Sequence, residues 1–502
     1  SPRLFRFKAE KKTEPDARMQ NENFWKEHRP LALSPSEDRL SLFVERIYNI
    51  EGFSPIIWVG KSLIENYIPT SIDPKDPSKL DIGPVNTTVT TNPVDGVRLR
   101  ASLQTTANLN PHMFWRGYLA YGFRDQRWKG LGEVTYSFRR KAYLPMEFPV
   151  SNLTFTYSYD VSVPSDQYLT TDKDNVFMAF KWADVKHMTY DRSFKLVYDQ
   201  EWDYGLQWRA QLRHDMTEPT YKLFYQPVVN GIHYDAQGNY NPRPFGPGDG
   251  TSFSARNRRY LRTTDFAVLL QYQPGVAYIN TKQRRILVNK EAPIYRISHM
   301  AGLRGVWSDY TYNLTEVGVR KRVWLRSWGR MDFDFAAGAQ WNRVPFPLLI
   351  MPRANLAYVY DDDMYYLVDN MEFLNDRYAQ LMFNWSMNGK IFNRIPLFNR
   401  LKWREHVGFN ILWGRLTDKN NPYLEKNKTR SDLYYFPGEF NPDGSFRQQS
   451  KVMDPQVPYV EAAFGIHNIF KLFHIDYVRR FTYLDDPRTT RWGIRFMARV
   501  IF

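Results

Sequence analysis

The feature that most constrains this chain is a period of two carried over long stretches. Residues 491–502 read RWGIRFMARVIF: Trp492, Ile494, Phe496, Ala498, Val500 and Phe502 are all apolar, and Arg491, Arg495 and Arg499 stand between them. Side chains on a strand point alternately to opposite faces, so this segment has one apolar face and one face bearing arginines. The same alternation sets Val97, Leu99, Ala101 and Leu103 against Arg98, Arg100, Ser102 and Gln104. It recurs in 153–161, where Leu153, Phe155, Tyr157, Tyr159 and Val161 oppose Thr154, Thr156, Ser158 and Asp160. In 206–212, Leu206, Trp208, Ala210 and Leu212 oppose Gln207, Arg209 and Gln211. Further strands are predicted at 113–123, 128–138, 194–198, 264–273, 276–288, 294–306, 310–325, 331–341, 378–388, 401–413, 459–466 and 472–483.

Two environments satisfy such a pattern: a soluble sandwich with the apolar faces inward, or a transmembrane barrel with them in lipid and the polar faces around a lumen. Strand length favours the barrel. About 9 to 11 residues cross a membrane as a tilted strand, whereas globular strands average about five or six. Aromatic residues make up 16% of the chain, and Trp115, Trp128, Trp341, Trp413 and Trp492 fall near strand ends, where an interfacial girdle sits. A strand ending at Phe502 looks like the terminal signal by which outer-membrane barrels are recognised for insertion. The expectation is an all-β fold, a transmembrane antiparallel β-barrel of about 16 strands (about 14 to 18).

Mean hydropathy is −0.56, and no run approaches the ~18 apolar residues of a spanning helix. With no cysteine there is neither a disulfide framework nor a thiolate metal site. The formal charge of +15 is spread along strand faces and loops. That suits a polar lumen or an anionic lipid surface better than nucleic acid, which calls for one basic patch.

The chain opens at Ser1 without a signal peptide and is read as a mature or trimmed form. Residues 1–94 are expected to form a periplasmic segment with one helix over about 35–49, and 95–502 the barrel. Ser34 caps that helix, Pro35 fits its first turn and Glu37 completes a capping box. Leu40, Phe43, Val44 and Ile47 then give it an apolar stripe. One tension remains in the strand order. With both barrel ends at the periplasm, the Gly/Pro/Asn-rich stretch 225–260 falls on the periplasmic side, where barrels keep their turns short. Either an early strand is miscounted or this barrel departs from the habit.

Candidate lumen-facing residues are His474, Asp476, Arg480, Arg491, Arg495 and Arg499. Candidate lipid-facing residues are Trp492, Ile494, Phe496, Val500 and Phe502. The arginines are expected to be neutralised by acids such as Asp332, Asp334, Glu461 and Asp476. Asp361, Asp362 and Asp363 lack the staggered ligands and turn glycine of a calcium loop, and read as a loop tip or as partners of lumen arginines. His474 and Asp476 share a strand face, and a hydrolase would need a nucleophile beside them. No His-Glu-x-x-His arrangement or phosphate-binding glycine loop is present, so no metal, cofactor or catalytic residue is expected.

Five segments carry a family resemblance: DGVRLRASLQTT (95–106), AYGFRDQRWKG (120–130), MEFLNDRYAQL (371–381), IFNRIPLFNRLKWRE (391–405) and PYVEAAFGIHNIFKLFHIDYVRRFTYL (458–484). Together they resemble Bacteroidetes outer-membrane proteins in which a carboxypeptidase-regulatory-like β-sandwich precedes a large barrel of unknown function. That barrel is in turn distantly similar to the bacterial surface antigen superfamily, whose members insert or translocate outer-membrane proteins or handle lipids. The resemblance implies a long loop between strands 11 and 12 that folds into the lumen, here 343–376, with Arg353, Asp361, Asp362 and Asp363 as its candidate residues. The superfamily's Arg-Gly-aromatic loop motif has no copy: Pro352-Arg353-Ala354-Asn355 comes nearest and lacks the glycine.

The expected protein is therefore a non-enzymatic barrel of the bacterial outer membrane, of the assembly or translocation type or a subunit of an envelope complex. A passive or gated pore is the alternative, and an outer-membrane hydrolase the second alternative. Expected partners are outer-membrane lipid, lipopolysaccharide and other envelope proteins, with no nucleic acid.

Overall fold

Segments with a period of two have no face to offer a helix, and they pair side by side. In the computed structural model the described residues are 65–71, 77–166, 187–220, 223–228, 259–283, 285–355, 363–440 and 446–498. The expected helix over about 35–49 lies outside them. The strands begin with three short pieces, β1 (Ile68–Pro69), β2 (Leu80–Ile82) and β3 (Val89–Asn92). There follow β4 (Gly96–Thr105), β5 (Met113–Gly122), β6 (Trp128–Ser137), β7 (Ser151–Ser162), β8 (Thr189–Glu201), β9 (Leu206–Pro219) and β10 (Leu261–Tyr272). After a short hairpin, β11 (Tyr278–Asn280) and β12 (Arg285–Leu287), come β13 (Ile294–Gly302), β14 (Asn313–Trp324), β15 (Arg330–Gln340), β16 (Arg377–Ser386) and β17 (Arg404–Arg415). A second hairpin, β18 (Gly438–Phe440) and β19 (Phe446–Gln448), precedes β20 (Tyr459–Ile469), β21 (Phe473–Arg480) and β22 (Trp492–Ala498). The one α-helix among the described residues long enough to label, α1 (Pro396–Leu401), leads into β17.

Eighteen of these strands form one sheet, and its ladders are antiparallel. From β4 onward each wall strand pairs with the next, passing over the two hairpins, which stand off the wall: β10 pairs with β13 and β17 with β20. The sheet reaches back past the expected boundary at residue 94. β2 and β3 both pair along the free edge of β4, with Leu80 opposite Thr105 and Asn92 opposite Gly96. Residues 80–92 are thus one interrupted strand, broken by a 3-10 turn at Val85–Thr87.

That strand corrects the sequence reading at two points. It is the early strand missing from the count, and Gly83-Pro84 hides it, because proline has no N–H for a ladder. Conversely, 276–288 is not a wall strand. It reverses at Thr281-Lys282-Gln283 into the β11–β12 hairpin, held at the wall by Arg285 on Glu201 (2.6 and 2.7 Å) and by Gln283 on Asp81 (2.7 Å). One gain and one loss keep the wall at 16 strands, counting 80–92 as one and setting aside the two-residue β1. β9 ends and β10 begins at the rim opposite the one where residues 77–80 enter the wall. We call the rim where β9, β15 and β17 end the loop rim, and the other the turn rim.

Burial is inverted with respect to a soluble protein. Trp128 is 66% exposed and its neighbour Lys129 2%, while Phe481 is 49% exposed and Arg480 1%. Leu99, Trp115, Leu119, Phe155, Ile297 and Phe335 continue the exposed apolar face. Such a surface on one continuous sheet, with the charges on its other face, is the pattern of a wall that meets hydrocarbon outside and encloses a polar bore. The concave face folds round on itself. Val161 of β7 and Tyr190 of β8 share one buried cluster with Met382 of β16, Leu412 of β17 and Tyr459 of β20. Of the residues expected to face lipid, Trp492, Ile494 and Phe496 are exposed on β22; Val500 and Phe502 lie outside the described residues.

Candidate functional site: the docked lumen loop

Residues 341–376 join β15 to β16, the eleventh and twelfth strands of the wall. The segment is too apolar to be solvated at a rim, and Val344, Phe346, Tyr365, Leu367, Val368, Phe373 and Leu374 are each at most 1% exposed. At about 1.5–3 kcal/mol for each large apolar side chain removed from water, this burial is the main force drawing the loop inward. A bridge between Ile350 and Asn375 closes its base, and a parallel bridge between Ala354 and Tyr365 folds it on itself. Arg353 sits in that fold, its carbonyl accepting the Tyr365 N–H at 2.9 Å. Ala354, Tyr365, Val368 and Phe373 belong to the cluster that spans both halves of the wall. Tyr366 and Leu367 pack on Ala463 of β20 and Val478 of β21.

Polar anchors fix where it docks. The Glu461 carboxylate on β20 accepts the backbone N–H groups of Tyr366 (2.8 Å) and Leu367 (3.0 Å), the Asn410 amide (2.8 Å) and the Tyr459 hydroxyl (2.7 Å). Arg480 on β21 grips Glu372 through two bonds of 2.7 and 3.0 Å and donates to the carbonyls of Thr482 and Tyr483. Its guanidinium also lies 4.8 Å from the centre of the Tyr459 ring. Arg495 on β22 donates to the Tyr366 carbonyl, and Arg320 on β14 pairs with Asp363. Burial pushes the Asp369 carboxyl up to about 6, and the neighbouring Glu372 adds to the shift.

The neutralisation of the arginines differs from the sequence expectation. Asp332 pairs with Arg322, and Asp334 with Arg296 and Arg320. Arg480, however, is answered by Glu372 of the loop, and Arg495 reaches the loop's Tyr366 carbonyl, while Glu461 receives backbone donors. Arg491 is exposed in the turn before β22 and reaches the Leu484 carbonyl. Arg499, Asp361 and Asp362 lie outside the described residues. Glu372 and Glu461 carry most of the polar anchoring; of the two, sequence singled out only Glu461, and as a partner for arginines, not for the loop backbone.

Near the turn rim the wall carries a second polar group. Asp476 of β21 accepts from His406 Nδ1 of β17 at 2.8 Å and from His467 Nε2 of β20 at 3.1 and 3.2 Å. The His406 and His467 rings stack at 4.2 Å, and His474 meets His467 edge-on at 4.4 Å. Sequence pattern singled out His474 and Asp476. It missed His406 and His467, which arrive from other strands and show no spacing signal. The three histidines border a cavity of about 260 Å³, together with Arg320, Arg322, Asp332, Asp334 and Asp363.

A family model described as the family of unknown function (DUF5686) C-terminal domain matches residues 69–427. No curated protein matches the chain. Among solved structures, BamA from Haemophilus ducreyi lacking POTRA domains 1–3 is similar at 10% identity and a TM-score of 0.44, over 83% of this chain and 69% of that one. CdiB from Acinetobacter baumannii is similar at 9% identity and a TM-score of 0.39, over 81% of this chain and 57% of that one. Pseudomonas putida OprB is similar at 9% identity and a TM-score of 0.32, over 84% and 90%.

Proposed function

The chain belongs to the DUF5686 family through its C-terminal domain, and on that premise we propose that it is a non-enzymatic outer-membrane barrel of the assembly or translocation type, working as a subunit of an envelope complex. The observation that carries this reading is the docked loop. Its apolar side chains fill the concave side of the sheet beneath the loop rim, and its anchors sit on β20, β21 and β22. In a passive channel such a segment would serve only to narrow the bore. A barrel that must hold its last strands in place while it handles another polypeptide has a further use for it. The exposed apolar face supports outer-membrane lipid as its surroundings, and the formal charge of +15 suits the anionic groups of lipopolysaccharide.

The cavity beside the histidines supports a second reading, a gated pore, because it is polar and lies on the turn-rim side of the loop. For the hydrolase reading, Asp476 holds His406 and His467 by hydrogen bonds, an arrangement that orients imidazoles but does not by itself supply a nucleophile. Depletion in the host bacterium separates the first two readings. The assembly reading expects the outer-membrane level of particular barrels or exported proteins to fall, and affinity capture from native membranes to return a constant set of envelope proteins. Steady single-channel conductance from the intact chain in planar bilayers, with envelope protein levels unchanged on depletion, overturns it in favour of the pore.

A further inference from the structure

β17, β20 and β21 converge near the turn rim and bring three lone-pair donors to one point inside the wall. His406, His467 and Asp476 are 4%, 7% and 1% exposed. Their ligand atoms all lie within 4.8 Å of one another, two of the separations being 2.8 and 3.1 Å. We propose that these residues bind a divalent transition-metal ion of the zinc class, which ties the three strands together on the turn-rim side of the docked loop. Linear spacing gives no hint of this site, because each of the three ligands comes from a different strand.

The geometry suits the ion. With metal–ligand bonds of about 2.0–2.2 Å, tetrahedral ligand atoms sit roughly 3.3 Å apart, so small side-chain rotations convert the present triangle into three ligands. Two imidazole nitrogens and one carboxylate oxygen favour zinc-class ions over calcium or magnesium, which take oxygen shells. By tautomer choice each ring can turn a lone pair toward the carboxylate. The sequence also makes room for the carboxylate. Gly465 faces Asp476 across the β20–β21 ladder, and a Cβ there would come within 1.8 Å of Asp476 Oδ1. The glycine lets the carboxylate lie over the β20 backbone, within reach of both rings. His474 stays outside the ligand set, with its Nδ1 accepting the Asn468 N–H. His406 and His467 border the neighbouring cavity of about 260 Å³, from which an ion and a water ligand would reach them.

The test uses the full chain folded in detergent, stripped with chelator, and checked for the folded state by its heat-modifiable gel mobility. Titration with Co²⁺ should give one ion per chain with a visible d–d band that Zn²⁺ displaces, and Zn²⁺ should raise the thermal midpoint. His467→Gln and His406→Gln, both tested in the folded state, should weaken binding at least about tenfold. His299→Gln, on β13 and away from the cluster, should leave it unchanged. The proposal is overturned if the wild-type chain takes up no Co²⁺ at about 0.1 mM, or if His467→Gln binds as wild type does.

Discussion

Glu372 and Arg480 form a buried, two-pronged pair between the lumen loop and β21. Building such a pair from solvated ions brings little net stability, but removing one partner strands the other in a dry site, which costs about 3–5 kcal/mol. Glu372→Ala is therefore expected to lower the denaturant-unfolding free energy of the folded barrel by roughly that amount, and Glu372→Gln, which keeps an acceptor, by less. Asp369 works in the opposite sense. Its carboxyl is pushed from an ordinary 3.8 up to about 6 by burial and by Glu372, with Arg480 and Lys451 opposing and Asp486 adding slightly. The folded state thus holds the Asp369 proton more tightly than the unfolded one. A destabilising contribution is absent below the lower value, grows as pH rises between the two, and is complete above about 6. Asp369→Asn should match wild type in thermal midpoint at low pH and exceed it near neutrality, with the difference opening across that window. A constant difference at all pH values contradicts this assignment.

At the scale of elements, the interrupted edge strand is the most informative departure. β4, β7, β9 and β22 were legible because nothing disturbs their alternation. Residues 80–92 were not, because Gly83-Pro84 and the 3-10 turn break the period before either half is long enough to register. The β11–β12 hairpin erred the other way: its two arms keep the alternation across a polar reversal and pass for one strand. The candidate site was half legible for a related reason. Arg480, Arg495, Asp363, His474 and Asp476 sit in alternating strands or in an acidic cluster, and so could be named. Glu461 could be named too, but as an acid for the arginines; its hold on the loop backbone, like the roles of Glu372, His406 and His467, comes from pairing across strands or with the loop, which no single segment displays. Register gives a direct check on the edge strand. Val89 faces Leu99 on the exposed side, and the chain has no native cysteine. Val89→Cys with Leu99→Cys should cross-link under mild oxidation in the folded state, and Val89→Cys with Ala101→Cys, two residues out of register, should not. Equal cross-linking of both pairs means that β3 is not fixed on β4.

For the molecule as a whole, the question is how firmly the loop holds the bore. Two contributions oppose its release. Losing Glu372 strands Arg480 and costs about 3–5 kcal/mol, losing Glu461 leaves buried donors unpaired at about 1–3 kcal/mol each, and each large apolar side chain returned to water costs a further ~1.5–3 kcal/mol. The apolar contribution is larger in sum, since at least seven such residues of the loop are at most 1% exposed. Neither anchor alone should therefore decide the state of the lumen. Both grip neighbouring points of one segment, Tyr366-Leu367 and Glu372, so their losses should couple and not simply add. In planar bilayers, Glu372→Ala or Glu461→Ala alone should stay almost as silent as wild type. The double variant should show brief openings, and deletion of 344–374 should conduct steadily. Protease cleavage after Arg353 should follow the same order, because that residue lies in the fold of the loop and is reached only when the loop lifts. If the double variant conducts as steadily as the deletion, the carboxylates hold the loop and the apolar packing merely follows. If the deletion itself stays silent, the bore is filled by something other than this loop.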